Sequence, residues 1–391
     1  MDNFVSYNPT KIIFGKNGLP KIGQETVAWG ANVLLVYGCN SIKKNGIYQQ
    51  VISSLAEAGA QIHEHSGVQS NPLLSHVKVG ISKCKEHKCE VICAVGGGSV
   101  LDEAKAISAG ALVDHDIWKF LTGKKSIKKT LPVTTVLTLA ASGSENNSGM
   151  VITNDIKKQK FGFANRHLFP KASILDPETT FTVPASYTAF GAIDALSHIL
   201  EFYLTTVVSD SSVQDSLMEG LARNIITSTN RCLTDPADYD ARANLMWSAS
   251  LALNGLISAG LGKVMFPMHL IEHSLSALYN VPHGAGLAIT IPGWMKYSAR
   301  TAPSRISKFG RNAFGIEESS VSESANATID YLSGWFRQIS APTCLEDIGA
   351  GRDSINSIAK NALPQAKTWR MREISEEIIE EVLCFCLKTE S

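Results

Sequence analysis

Neither sign of charge is in surplus: 36 Lys and Arg face 36 Asp and Glu, with no basic run and no acidic tail. This argues against nucleic acid or an anionic membrane surface as the main partner. Long hydrophobic runs are also missing. The most apolar stretch, residues 245–266, is broken by Ser248, Asn254, Ser258 and Lys263, so it falls short of the ~18 uninterrupted residues of a membrane span. Met1-Asp2-Asn3-Phe4-Val5 has neither the charged start nor the apolar core of a signal peptide. A cytoplasmic protein is expected. The eight cysteines include no paired C-x2-C knuckles, so the cluster Cys84, His87, Cys89, Cys93 reads as structural thiols, not as a closed zinc site. The chain has no G-x-G-x-x-G fingerprint, no P-loop, no repeat and no flexible linker.

The 391 residues exceed the ~250–300 at which single cores usually split, so two domains are expected. The first half alternates short β-branched runs with amphipathic stretches. Residues 11–14, 33–37, 61–65 and 91–95 read as strands, and 47–58 and 74–87 as helices, with Gly59 stopping the first. Such alternation predicts a parallel α/β sheet. Beyond Leu175-Asp176-Pro177 the pattern becomes helical, over 189–203, 213–228, 241–255 and 374–387. The expected organisation is a Rossmann-like α/β domain over 1–182 and an all-α domain over 183–391, packed across a cleft.

Three turns in the first half suit a nucleotide. After the run Val91–Val95, Gly96-Gly97-Gly98-Ser99 leads into a helix. Glycines allow close backbone approach, and a helix N-terminus favours a pyrophosphate. Ser99 and Asp102 have the S-x-x-D spacing of a local capping pair. After Val133–Leu137 comes Thr138-Leu139-Ala140-Ala141-Ser142-Gly143-Ser144-Glu145-Asn146-Asn147, rich in hydroxyls and amides. After Val33–Tyr37 come Gly38, Cys39, Asn40 and Ser41, then Lys43 and Lys44. No acid stands there to repel a 2′-phosphate, and NAD-selective sites often carry one. NADP(H) is therefore expected ahead of NAD(H).

The second half carries a carboxylate and several histidines. Asp194 and His198 are spaced i, i+4 on one helix face, as are His269 and His273; His283 follows a proline. All five lie in stretches that read as buried, where unpaired polar groups are costly. One carboxylate and three imidazoles on a divalent cation would satisfy four of them. Oxygen and nitrogen donors suit Fe(II) or Zn(II) alike.

The ordered motifs Gly96-Gly97-Gly98-Ser99-x-x-Asp102-x-x-Lys105, Ser142-Gly143-Ser144-Glu145, Leu175-Asp176-Pro177-Glu178, Asp194-Ala195-Leu196-x-His198, and His269-x3-His273 with Pro282-His283-Gly284 span most of the chain. Together they resemble the iron-containing (group III) alcohol dehydrogenases, above all the NADPH-dependent butanol-dehydrogenase or aldehyde-reductase branch. The resemblance implies a dehydroquinate-synthase-like architecture and a homodimer. It implies Asp194, His198, His269 and His283 as metal ligands. It places His273 near the nicotinamide, as a proton relay or a packed structural group. It puts the glycine turn with Ser99 on the pyrophosphate, and Asn71, Asp102, Thr138, Asn147 and Lys160 on the cofactor. Gly38 stands where NAD-preferring relatives carry an acid. Two departures occur: Ser142 replaces a common Thr, and Cys39-Asn40 replaces a glycine pair.

The expected activity is hydride transfer between a nicotinamide and small, fairly apolar alcohols or aldehydes. Two rivals use the same architecture, a zinc polyol dehydrogenase and a dehydroquinate-synthase-like lyase. A lyase acting on a phosphorylated acid should show clustered Arg and Lys near the histidines, where only Lys263 occurs. A non-catalytic metal-binding protein has no use for the nucleotide turns.

Overall fold

A computed structural model gives the architecture of residues 1–388. β1 (Lys11–Phe14) leads into α1 (Ile22–Val27), β2 (Asn32–Tyr37), α2 (Ser41–Lys44) and α3 (Ile47–Glu57). Next come β3 (Gln61–Ser66), α4 (Leu74–Glu86), β4 (Val91–Gly96), α5 (Gly98–Gly110), α6 (Trp118–Leu121) and β5 (Val133–Leu137). The hairpin β6 (Gly149–Asn154) and β7 (Gln159–Ala164) precedes β8 (Ala172–Leu175). The rest is helical: α7 (Ala185–Thr205), α8 (Ser212–Thr234), α9 (Tyr239–Ala252), α10 (Pro267–Tyr279) and α11 (His283–Ala299). α12 (Pro303–Phe314), α13 (Val321–Gln338), α14 (Ile355–Thr368) and α15 (Glu376–Cys384) complete it.

Six strands form a parallel sheet in the order β1-β8-β5-β4-β2-β3, and β6–β7 pair antiparallel apart from it. Alternation along β2 shows why the sheet is covered twice. Val33, Leu35 and Tyr37 pack with Val51 and Leu55 of α3. Leu34 and Val36 pack with Val77 of α4 and Leu101 of α5. Each such side chain taken fully out of water contributes ~1.5–3 kcal/mol. Continuous apolar runs are what a sheet buried on both faces requires. Cys93 of β4 faces the first layer, whereas Cys84 and Cys89 pack together in the second, so the three thiols do not converge.

The chain runs outward from β2 to β3, then crosses back to β4 and continues through β5 to β8. The order reverses between β2 and β4, and at such a switch point the carboxyl ends of parallel strands leave a crevice for a ligand. Gly38 and the Gly96–Gly98 turn stand at those two ends. The helical half packs its own core around α7, which lies against α8, α9 and α11. Backbones approach closely on both sides of α7. A Cβ on Gly191 of α7 would stand 2.2 Å from the Ala140 carbonyl oxygen. One on Gly284 of α11 would stand 2.0 Å from that of Phe190. Two glycines therefore seat α7 against the 138–147 loop and α11 against α7. No helix among the described residues is long and apolar enough to cross a membrane.

Candidate active site

A cavity of about 940 Å³ runs between the two halves. One end is lined by Gly38, Cys39, Ser41 and Asn45, the middle by Gly96–Ser99 and Thr138, and the far end by Asp194 and four histidines. Every residue expected to touch cofactor or metal lines it except Asn40, which precedes α2 and makes no side-chain cap.

α5 begins at Gly98, with Gly97 as its N-cap and no side-chain cap, so its first turn presents backbone N–H groups to the cavity. Ser99 and Asp102 do not form the expected capping pair. Asp102 accepts instead from the Ser144 hydroxyl at 2.6 Å and the Val151 N–H at 2.9 Å. The fully buried Lys105 ammonium donates to Ser144 Oγ (2.9 Å), the Asn147 carbonyl (3.0 Å) and the Gly149 carbonyl (2.8 Å). Burial lowers the Lys105 pKa to about 8, against the pull of Asp102 and Glu145. These bonds fix the 142–149 loop over the start of α5.

At the other end of the turn system, Lys43 does not face the cavity. Its ammonium sits over the rings of Tyr37 (5.2 Å) and Tyr48 (4.8 Å), and neither Lys43 nor Lys44 lines the site. Two neighbouring aromatic faces hold the Lys43 cation there instead.

At the far end, α7 carries Asp194 and His198, α10 carries His269 and His273, and the start of α11 carries His283. His198 Nε2 and His283 Nε2 each lie 3.6 Å from Asp194 Oδ1, and His269 Nε2 lies 3.8 Å away. These separations exceed hydrogen-bond length. Two ligands ~2.1 Å from one tetrahedral ion stand ~3.4 Å apart. Asp194 Oδ1 is buried and has no hydrogen-bond partner. Three imidazole nitrogens thus stand around Asp194 Oδ1 at ligand-to-ligand spacing without satisfying it, which fits a divalent ion.

Two buried carboxylates stand behind the imidazoles. Glu201 accepts from His269 Nδ1 at 3.2 Å and from the His269 backbone N–H at 3.0 Å. Glu272 accepts from His283 Nδ1. A carboxylate on one ring nitrogen leaves the other with its lone pair, so each Nε2 is presented toward Asp194. Glu201 was legible in principle, since it falls seven residues after Asp194 on the same helix face. Glu272 was not, because its neighbours His273 and His269 dominate that segment.

The electrostatics favour positive charge at this point. Burial depresses His269, but Asp194 and Glu201 outweigh it and raise its pKa to about 9. His198 has no second carboxylate, and burial takes it down to about 3 despite Asp194. Burial pushes Asp194 up, yet the surrounding imidazoles hold it well below the usual carboxylate range. A second group, His65, His76 and Glu103, differs in kind. Its nitrogens lie 2.9 and 2.6 Å from one Glu103 oxygen, so it closes on itself by hydrogen bonds.

Lys160 of β7 bridges the two ends. Its buried ammonium donates to Asn71 Oδ1 at 2.9 Å and Ser276 Oγ at 3.1 Å, and pairs with Glu272 at 3.4 Å. Asn71 adopts φ 58 and donates to the Val281 carbonyl at 3.1 Å, just before His283. His273 is buried, with Gln365 of α14 against its Nδ1 at 2.9–3.1 Å and no partner on Nε2. Burial, then Lys160, holds its pKa well below the ordinary value. Gln365 and the aromatic wall of Phe266 and Trp369 were absent from the sequence reading, since nothing local marks them.

The family profile "Iron-containing alcohol dehydrogenase" matches residues 9–177, and "Fe-containing alcohol dehydrogenase family, C-terminal" matches 188–385. The chain is 41% identical to the probable NADH-dependent butanol dehydrogenase 1 of Bacillus subtilis, covering 98% of this chain and 99% of that one. It is 36% identical to the NADPH-dependent aldehyde reductase YqhD of Escherichia coli, over 92% of each chain. The solved structure of NADH-dependent butanol dehydrogenase A from Thermotoga maritima superposes with a TM-score of 0.95 at 42% identity, covering 99% of both chains.

Proposed function

The chain belongs to the iron-containing alcohol dehydrogenase family, and from that premise we propose that it interconverts small apolar aldehydes and alcohols at a metal centre beside a bound nicotinamide. The observation that carries this reading is the unpaired Asp194 Oδ1 ringed by three imidazole nitrogens, on the cavity that also receives the glycine turn. Asp194, His198, His269 and His283 hold the ion. When bound, it supplies Lewis acidity toward the substrate oxygen, and the nicotinamide supplies the hydride chemistry.

The chain's own groups do the rest. Glu201 and Glu272 fix which nitrogen of His269 and His283 faces inward. The first turn of α5 and the clamped 142–149 loop receive the pyrophosphate, with Ser99, Thr138 and Asn147 as polar partners. Lys160 and Asn71 hold the His283 loop against the cofactor side of the cleft. Nε2 of His273, neutral and free in the cavity, is assigned the proton exchange with substrate or nicotinamide ribose. Domain limits at 182 and 183 follow the change from strands to helices and the break between the matched segments at 177 and 188. The half-exposed apolar side chains Phe14 and Trp247, in contact at 5.9 Å, with Tyr7 nearby in sequence, favour a homodimer. Sedimentation as a monomer at micromolar concentration would refute that.

Mixing the metal-loaded protein with NADPH or NADH and butanal should cause loss of the nicotinamide absorbance band. No loss with either cofactor contradicts the assignment. Both cofactors are expected to work: no carboxylate lines the adenosine end to repel a 2′-phosphate, and no lysine there clamps one. A Cβ on Gly38 meets nothing nearer than 3.5 Å, so an aspartate fits without strain. Gly38→Asp should therefore lower kcat/KM for NADPH relative to NADH by about tenfold, the ~1.4 kcal/mol of one poorly placed like-charge pair. An unchanged ratio would show that this turn does not read the ribose.

A further inference from the structure

Trp369 follows α14 and reaches across the cleft to β7, where its indole N–H donates to the Gly162 carbonyl at 2.9 Å. Its ring centroid lies 5.5 Å from that of His273 and 6.3 Å from that of Phe266. Phe266 in turn stands edge-on to His269 at 5.4 Å. The two aromatic residues thus form a continuous wall along the histidines, and both line the cavity. Gly162 is what admits the indole, since a Cβ there would lie 2.9 Å from Trp369 Cζ2. The ring is held along one edge, by its N–H on the Gly162 carbonyl and by close contact of Cζ2 with that glycine. It is a fixed surface, not a swinging lid.

We propose that Trp369 is the specificity-determining residue of the pocket, limiting substrates to slender, unbranched aldehydes and turning away aryl and branched ones. The proposal rests on the dehydrogenase reading above. A substrate whose oxygen is held at the Asp194–histidine cluster must send its chain past this wall. The neighbouring side chains Leu253, Met265 and Met371 are also apolar, so shape and not charge decides what fits. Lys160, the one lysine or arginine on that cavity among the described residues, is already paired with Glu272.

The test compares kcat/KM for phenylacetaldehyde and butanal in wild type, Trp369→Ala, Trp369→Leu and Trp369→Phe. A parallel readout is the affinity ratio of 2-phenylethanol to 1-butanol, measured by calorimetry on protein loaded with metal and cofactor. Trp369→Ala and Trp369→Leu should raise the aryl-to-butyl ratio at least ~10-fold, the scale on which a few carbons of pocket volume discriminate. Trp369→Phe, which keeps an aromatic wall, should stay near wild type, and metal content should not change in any variant. Ratios within about twofold of wild type in both small variants, with butanal still reduced, would overturn the role of Trp369 alone. Failure of wild type to reduce any aldehyde would instead sink the dehydrogenase reading.

Discussion

Replacing His269 with alanine is expected to remove the bound ion and lower kcat/KM for butanal by at least about 10³-fold. Its Nε2 is one of three imidazole nitrogens around Asp194 Oδ1, and its Nδ1 is the donor to buried Glu201. The substitution leaves the proposed ion three ligands and the buried Glu201 carboxylate only backbone N–H donors. Loss of Lewis-acid stabilisation is a matter of several kcal/mol, and each ~1.4 kcal/mol is tenfold in rate. Elemental analysis of the purified variant beside steady-state rates checks both halves. Near-normal metal content with near-normal turnover would exclude His269 as a ligand. The melting temperature should fall as well, because Glu201 loses its side-chain partner.

Glu201→Gln is expected to weaken metal affinity ~10–100-fold, as removal of an outer-shell carboxylate typically does. Glutamine has the same shape and can still accept from His269 Nδ1, so the helix packing persists. What changes is the negative charge that makes the imidazole a stronger ligand and that raises the His269 pKa to about 9. Competition with a chromogenic chelator measures the affinity. A merely structural glutamate would lower thermal stability without moving that affinity, so an unchanged chelator midpoint would refute the assigned role.

Much of the fold was legible because burial leaves a periodic trace. Val33–Tyr37 and Val91–Val95 are uninterrupted apolar runs, and both became central parallel strands with both faces covered. Helix limits moved by a few residues where a cap decided them. α15 starts after Ser375, whose hydroxyl accepts from the Ile378 N–H, and not at Ile374. The S-x-x-D spacing of Ser99 and Asp102 misled for a related reason. The backbone turns helical two residues earlier, at glycines that need no cap, and Asp102 is drawn to Ser144 of the loop after β5 and to Val151 of β6.

The candidate site divides along the same line. Asp194 with His198, and His269 with His273, announce themselves by i, i+4 spacing on buried helices. Gln365 and Trp369 act through contacts 92 and 207 residues apart, which no short window of sequence contains, and Glu272 meets His283 only across the turn between α10 and α11. Lys43 shows the opposite failure. Its position after β2 suits a phosphate, but Tyr37 and Tyr48, brought together by the packing of α3 on β2, compete for it.

X-ray absorption at the metal edge of the zinc-loaded protein tests the central claim most directly. Three imidazole nitrogens at ~2.0–2.1 Å and a carboxylate oxygen at ~2.0–2.2 Å are expected. A first shell holding sulfur, or fewer than three imidazoles, would mean that the ion does not sit at Asp194.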